Sequence, residues 1–139
     1  MITVGTATLP SPMQQLREQL ENLGFWLAED ESRDDGFGDR FLVLMRRGLG
    51  IRLVRDRGHW SVEVSGPDLS EWFSPMVWHA YLNQRVGDVA TPELDEQCQL
   101  ILDDVARMQA ATSTDAHLLN QLHRYRDDRA EARRLLGPS

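Results

Sequence analysis

The sequence predicts an α+β domain: an N-terminal helix, then a four-stranded antiparallel meander, then a C-terminal helical hairpin. Three observations lead to this prediction. Prolines follow hydroxyl residues at three places, apolar residues recur at helical spacing near both ends, and short apolar runs between Phe25 and Ser65 are separated by turns. The 139 residues, of which 41% are hydrophobic, suit one globular domain with one core. Within residues 1–139 we expect the first ten to be flexible.

Three helix starts are predicted where a hydroxyl residue precedes a proline, at Ser11-Pro12, Ser74-Pro75 and Thr91-Pro92. The hydroxyl suits the N-cap, and proline suits the first helical position. In the first helix, a capping box between Ser11 and Gln14 is expected, and Gly24 ends the helix. Its apolar stripe consists of Met13, Leu16, Leu20 and Leu23.

The four predicted strands are Phe25–Glu29, Arg40–Arg47, Ile51–Asp56 and His59–Ser65. The first hairpin loop is expected to contain Asp35-Gly36. The second strand has apolar residues at both parities, so we expect a central strand in a sheet covered on both sides. In the fourth strand, Trp60 is expected to point inward with Val62 and Val64. Four aromatic residues then gather in and around the short helix from Pro75, where they should seal the core: Trp72, Phe73, Trp78 and Tyr81.

Residues 91–136 predict the helical hairpin. Its first helix carries an apolar seam at spacings of four, three, four and three, formed by Leu94, Cys98, Ile101, Val105 and Met108. Its second helix carries Leu118, Leu122, Tyr125, Ala132 and Leu136 on one side. The short link Ala111–Thr114 favours burial of the seam within the chain. A seam paired with a second copy would instead give a weak homodimer.

No motif in the chain predicts an enzyme, a metal site or a cofactor. His117 and His123 are six residues apart, which directs their side chains away from a shared zinc ion. Cys98, the only cysteine, falls on the apolar seam, where burial should raise its pKa. No apolar run approaches the length of a membrane span, and Met1 to Pro10 lacks the pattern of a leader, so we expect a cytoplasmic protein that does not bind membranes.

A block of charge between Glu29 and Arg57 is the strongest functional signal. Six acids within eleven residues run into six arginines. Segregated charge steers charged partners, and the net charge of −7 favours a basic protein over nucleic acid. Alternatively, the arginines pair with acidic neighbours across the strands and only solubilise the surface. The candidate partner-binding residues are Asp30, Glu31, Asp34, Asp35, Arg52, Arg55, Arg57 and His59.

The segments 40–44, 50–64 and 72–73, together with Trp78 and Tyr81-Leu82, resemble small actinobacterial proteins, some of which are similar to immunity proteins of polymorphic toxin systems. The resemblance covers about residues 36–82 and rests on an Arg-Asp-Arg-Gly turn, 55–58, followed by the strand residue Trp60. It implies a cytoplasmic, acidic inhibitor that occludes a cognate toxin domain and has no catalysis of its own. The alternative is an assembly protein that self-associates through its C-terminal helices.

Overall fold

The computed structural model describes residues 8–32 and 39–136, which form four α-helices and one five-stranded antiparallel sheet. The helices are α1 (Ser11–Asn22), α2 (Pro75–Asn83), α3 (Leu94–Thr114) and α4 (Leu118–Leu135). The strands are β1 (Trp26–Ser32), β2 (Arg40–Arg46), β3 (Leu49–Asp56), β4 (His59–Ser65) and β5 (Trp72–Phe73). The α+β class, the N-terminal helix and the C-terminal pair of helices are confirmed.

The sheet has one strand more than the sequence predicted. Its strand order is β1-β2-β3-β4-β5, so each strand lies beside its neighbours in the chain. The additional strand pairs Phe73 with Val64 and Trp72 with Ser65. Two residues are too short to show an alternating pattern, which is why the sequence placed them only near the following helix. A short 3₁₀ turn, Pro67–Leu69, connects β4 to β5.

The two faces of the sheet differ in burial. Residues directly opposite each other on neighbouring strands share a face, so Leu44, Ile51 and Val64 lie together on an inner face, where all three are fully buried. On the other side, the outer face, Phe41 and Met45 are only partly buried. Val43, on the same face of β2, is buried at 4% exposure. The expectation of a sheet covered on both sides therefore holds for the middle of β2 on the outer face but not for Phe41 and Met45. Trp60, on the inner face, is partly buried against the core.

Burial of the α3 seam within the chain is confirmed. Ile101 and Met108 are fully buried, and Cys98 and Val105 nearly so. The main partners of α3 are α1 and α2, with further contacts to β3 and β4, whereas α4 packs against α2. Helix α3 continues through Thr114, so the link to α4 is shorter than predicted. At the end of α4, Leu136 is 76% exposed and does not join the buried stripe.

Only one of the three predicted helix caps forms. The Ser74 hydroxyl accepts a hydrogen bond from the Val77 N–H at 3.3 Å and caps α2. Helix α1 begins one residue early, because the Gln14 N–H bonds the Pro10 carbonyl, and Pro10 is its N-cap. No side chain caps α1, so the predicted capping box is absent. Helix α3 starts at Leu94 with Glu93 as N-cap, and the Thr91 hydroxyl instead accepts from Arg133.

The described residues include only part of the chain ends and of the first hairpin loop. Residues 1–7 of the segment expected to be flexible lie outside the described residues, but Leu9 is buried against the core. The predicted Asp35-Gly36 turn also lies outside them. Strand β1 is longer than predicted and reaches Ser32. None of the helices in the described ranges has the length and apolar composition that crossing a membrane requires.

Candidate functional site

The meander brings most of the predicted partner-binding residues to one end of the sheet. Register places Ser32 beside Arg40, Arg40 beside Arg55, and Arg55 beside Trp60. The end of β1, the start of β2, the end of β3 and the start of β4 therefore meet. Five candidates lie in these last rows or next to them: Asp30, Glu31, Arg55, Arg57 and His59. Arg52 lies nearer the middle of the sheet, beside Val43 and Glu63. The other two, Asp34 and Asp35, lie outside the described residues.

Ion pairs within the chain hold several of these charges. Asp30 lies 3.2 Å from the Arg40 guanidinium, on the inner-face side of the sheet end. Glu63 lies 2.6 Å from Arg52, on the outer face. The expected alternative of cross-strand pairing therefore describes both arginines. No ion pair in the described ranges involves Glu31 or His59, and both side chains are exposed on the outer face.

The outer face also carries aromatic residues around Arg52. The Arg52 guanidinium carbon lies 4.5 Å from the Trp72 ring centroid and 6.0 Å from that of Phe41. Trp72 can lie there because Gly50 has no side chain: a Cβ at Gly50 would sit 3.0 Å from the Trp72 ring and 2.3 Å from Leu69. Such contacts orient a guanidinium through the electron-rich ring face.

We name this surface the outer-face patch and define it by Trp26, Phe41, Met45, Arg52 and Trp72. Trp26 lies beside Met45 in the register and is 52% exposed. Tryptophan, tyrosine and arginine supply much of the binding energy at protein interfaces. Sequence reasoning missed the patch, because the register between β2 and β3 is needed to place Phe41 and Arg52 on one face.

The patch borders an acidic sheet edge. All seven residues of β1 are exposed, and they include Glu29, Asp30 and Glu31. The register of β1 shifts between Leu27 and Glu29. Charges and irregular register are features that protect a free strand edge from indiscriminate pairing with other chains. The edge therefore adds negative charge beside the patch and discourages unspecific strand addition.

A second candidate site is a cavity of about 460 Å³ between α2, α3, α4 and the loop that joins α2 to α3. Its apolar wall includes Met76, Ala80 and Leu100, and its polar wall includes His79 and Arg129. His79 Nδ1 lies 2.8 Å from the carboxylate of Asp104, which is only 4% exposed. Burying an acid in this way requires partners, and His79 with Arg107 supplies them.

A third polar cluster is explained by the fold itself. The Tyr81 hydroxyl on α2 donates a hydrogen bond to Asp115, and the His117 N–H donates to the same carboxylate at 2.9 Å. These bonds hold the pKa of Asp115 below its usual range, the Tyr81 bond having the larger effect. Burial and the Asp115 contact raise the pKa of Tyr81. The cluster fixes the short turn between α3 and α4 on α2.

The described ranges contain no cluster of three or more side chains placed to hold a metal ion. Cys98 is buried, and burial, with a smaller effect from Asp95, raises the pKa of its thiol to about 11, as the sequence predicted. No serine, threonine, tyrosine or cysteine is among the described residues that line the cavity beside His79. A covalent nucleophile paired with this imidazole is therefore missing from that wall.

Comparison with known protein families, with curated proteins and with solved structures gives no match for this chain. The resemblance to immunity proteins stays a prediction. Any function assigned to the chain therefore depends on the geometry of its own residues.

Proposed function

We propose that this chain is a protein-binding module of the cytoplasm that docks a basic partner on its outer-face patch. The observation that supports this most strongly is the position of Arg52 between the rings of Trp72 and Phe41. Among the described elements, the helices pack against one another and over the inner face, which leaves these side chains partly exposed. An ordered guanidinium between aromatic rings has the composition of an interface hot spot.

Preorganisation supports the same surface. Glu63 accepts hydrogen bonds from Arg52 Nε at 3.1 Å and from Nη2 at 2.6 Å, so the guanidinium is held before any partner arrives. Ordering long side chains beforehand reduces the entropy that binding would otherwise cost. The ion pair thus favours the patch as a rigid docking surface, whereas a purely solubilising arginine needs no aromatic contacts.

Charge supports a basic partner. The net charge is −7, and the β1 edge adds Glu29, Asp30 and Glu31 beside the patch. Complementary charge raises association rates and excludes partners of like charge. Asp34 and Asp35 belong to the same acidic run of the sequence. In this proposal the acids steer the partner, and the aromatic residues and Arg52 hold it.

The partner class we propose is a toxin or effector domain whose active cleft the chain occludes, as an immunity-type inhibitor does. The resemblance over residues 36–82 and the acidic charge support this class. Occlusion needs no chemistry from the chain, and we propose no catalytic role. The alternative, self-association through the C-terminal helices, has less support, because the α3 seam is already buried within the chain.

The test uses the product of the open reading frame adjacent to this gene as the candidate partner. Association and dissociation rates are measured by biolayer interferometry at several salt concentrations. In one variant Asp30, Glu31, Asp34 and Asp35 become Asn or Gln. We expect association to slow by about tenfold or more at low salt and its salt dependence to flatten. In a second variant, Trp72→Ala, we expect faster dissociation.

A matched control removes four acids elsewhere: Glu18, Glu21, Asp127 and Asp128, which are exposed on α1 and α4. It reduces the net negative charge by the same four units, so if steering is local, this control should associate much faster than the first variant. Equal slowing of both variants would mean that only net charge matters and would contradict the docking surface. A wild-type chain that neither binds nor inhibits the adjacent product would contradict the inhibitor proposal.

A further inference from the structure

Arg129 is a buried cation without a carboxylate partner. Its side chain is 8% exposed, and Nη1 donates to the carbonyl oxygens of Asp88 at 2.9 Å and Val86 at 3.4 Å. No ion pair in the described part of the chain involves it. Burial lowers the pKa of Arg129, and the nearby Arg133 adds to this effect. Because arginine remains protonated, a full positive charge lies at the cavity wall.

The guanidinium has donors to spare. Nε and Nη2 of Arg129 have no acceptor among the described residues. In those residues, Gln109 Oε1 is the one fully buried side-chain polar atom without a hydrogen bond. Nε and Nη2 of Arg129 also lack hydrogen bonds, so they are not fully buried and are open to solvent. Arg129 itself lines the cavity. Two adjacent N–H groups of this kind match the two oxygens of a carboxylate.

Helices α2 and α3 supply the opposite chemistry. His79, Glu96 and Asp103 also line the cavity. An ionised carboxylate only accepts hydrogen bonds, so the contact with Asp104 places the proton of a neutral His79 on Nδ1. Its Nε2 is then an acceptor. Acceptors and negative charge therefore lie along α2 and α3, apart from the donors of Arg129 on α4.

Two other charged residues reach this cavity. Arg85 lines it from the loop after α2 and is exposed. Asp88 also lines the cavity, and its carboxylate accepts a hydrogen bond from the Ala90 N–H at 2.9 Å. Its negative charge acts on Arg129 and raises the pKa of that guanidinium. Asp88 makes no ion pair with Arg129. The buried arginine thus remains the strongest anchor for a negative group.

We propose that this cavity binds a small zwitterion of the amino-acid class. Arg129 binds its carboxylate, and His79 with the α3 acids Glu96 and Asp103 binds its ammonium group. Its apolar side chain packs on Met76 and Leu100. A volume of about 460 Å³ lies in the range of small-ligand sites. This site is separate from the outer-face patch and does not depend on the protein-binding function.

Arg133 offers a matched control on the same helix. It lies one turn after Arg129 and also donates to the loop, to the Val89 carbonyl at 2.7 Å and the Thr91 hydroxyl at 3.1 Å. It is not among the residues that line the cavity. Replacing Arg133 therefore removes a comparable loop contact and one positive charge while the ligand anchor remains.

The experiment titrates the ¹⁵N-labelled protein with phenylalanine, phenylacetate and phenethylamine, and follows amide shifts by NMR. We expect phenylalanine to give saturable shifts in residues 79–90 and around Arg129, and to bind more tightly than either fragment. Arg129→Gln should weaken phenylalanine binding by about tenfold or more, because a charged hydrogen-bonded contact is lost. Arg133→Gln should bind phenylalanine as the wild type does.

A second variant guards against loss of the fold, since Arg129 also anchors the loop. Leu100→Trp keeps Arg129 but fills the cavity from the α3 side, so a folded Leu100→Trp protein should not bind phenylalanine. Unsaturable shifts, shifts elsewhere in the chain, or equal binding by wild type and either cavity variant would overturn the site. Phenylacetate that binds as tightly as phenylalanine would overturn the assignment of a zwitterion.

Discussion

The guanidinium of Arg52 on β3 lies 4.5 Å from the ring of Trp72 on β5, across the intervening strand β4. Trp72 reaches this position because β5 pairs with β4 and places it beside Ser65. Glu63, on β4, holds the same guanidinium at 2.6 Å. The orientation of this outer-face cation therefore depends in part on the short fifth strand.

The Arg52 and Trp72 side chains should stabilise the fold together. In a double-mutant cycle with Arg52→Ala and Trp72→Ala, we expect a coupling free energy of about 0.5–1 kcal/mol, because the contact is a partly exposed cation–π interaction. Urea denaturation followed by circular dichroism measures it. Glu63→Gln separates the ion pair from the aromatic contact. Fully additive single-mutant effects would mean that Trp72 does not orient Arg52.

Two tryptophans should differ sharply in their effect on stability. Trp78 is fully buried, and its Nε1–H donates to the Ser65 carbonyl at 3.2 Å, whereas Trp26 is 52% exposed. Trp78→Ala should lower the free energy of unfolding by about 3–5 kcal/mol, through cavity formation and a lost hydrogen bond. Trp26→Ala should change it by less than about 0.5 kcal/mol. Thermal melting of both variants checks this, and a costly Trp26→Ala would exclude it from a free docking surface.

Much of the fold could be predicted because the sequence carries periodic signals. The seam of α3 and the alternation of β4 are regular patterns, and the residues they placed inward, such as Ile101 and Val64, are buried. Helix starts were less predictable. The motif at Ser74-Pro75 gives a cap, but the same motif at Ser11-Pro12 does not, because Pro10 already supplies the first helical carbonyl.

The candidate site was harder to predict than the fold. The acidic residues were visible as a run in the sequence, but the outer-face patch joins residues of four strands, and its Trp72 depends on a strand too short to recognise. The cavity was invisible for a similar reason. Arg129 and His79 are far apart in sequence, and neither has a motif around it; only the packing of α4 on α2 makes them walls of one cavity.

Cys98 should react slowly in the folded protein. Burial raises its pKa from 9.0 to about 11, so the thiolate fraction near pH 8 falls about a hundredfold relative to an exposed thiol. The pKa of Cys98 is higher in the folded protein than in the unfolded chain. The contribution of the protonated thiol to the free energy of unfolding is therefore complete below pH 9 and is lost as the pH rises towards 11. A thiol reagent such as dithionitrobenzoate measures the rate at several pH values. The urea-unfolded chain is the control, and equally fast labelling of both states would contradict the burial of Cys98.

Because the α3 seam is buried within the chain, we expect a monomer, and we expect a single charged substitution in the seam to unfold it. Ile101 is fully buried where α3 packs within the chain, so Ile101→Glu places an unpaired charge in the core and should abolish the folded state. Ala106→Glu, at an exposed position of the same helix, should remain folded. Circular dichroism reports folding, and sedimentation velocity reports mass at micromolar concentration. We expect a wild-type monomer, because four of the five seam residues are buried within the chain. A wild-type dimer that Ile101→Glu converts into a folded monomer would show that the seam packs between two chains.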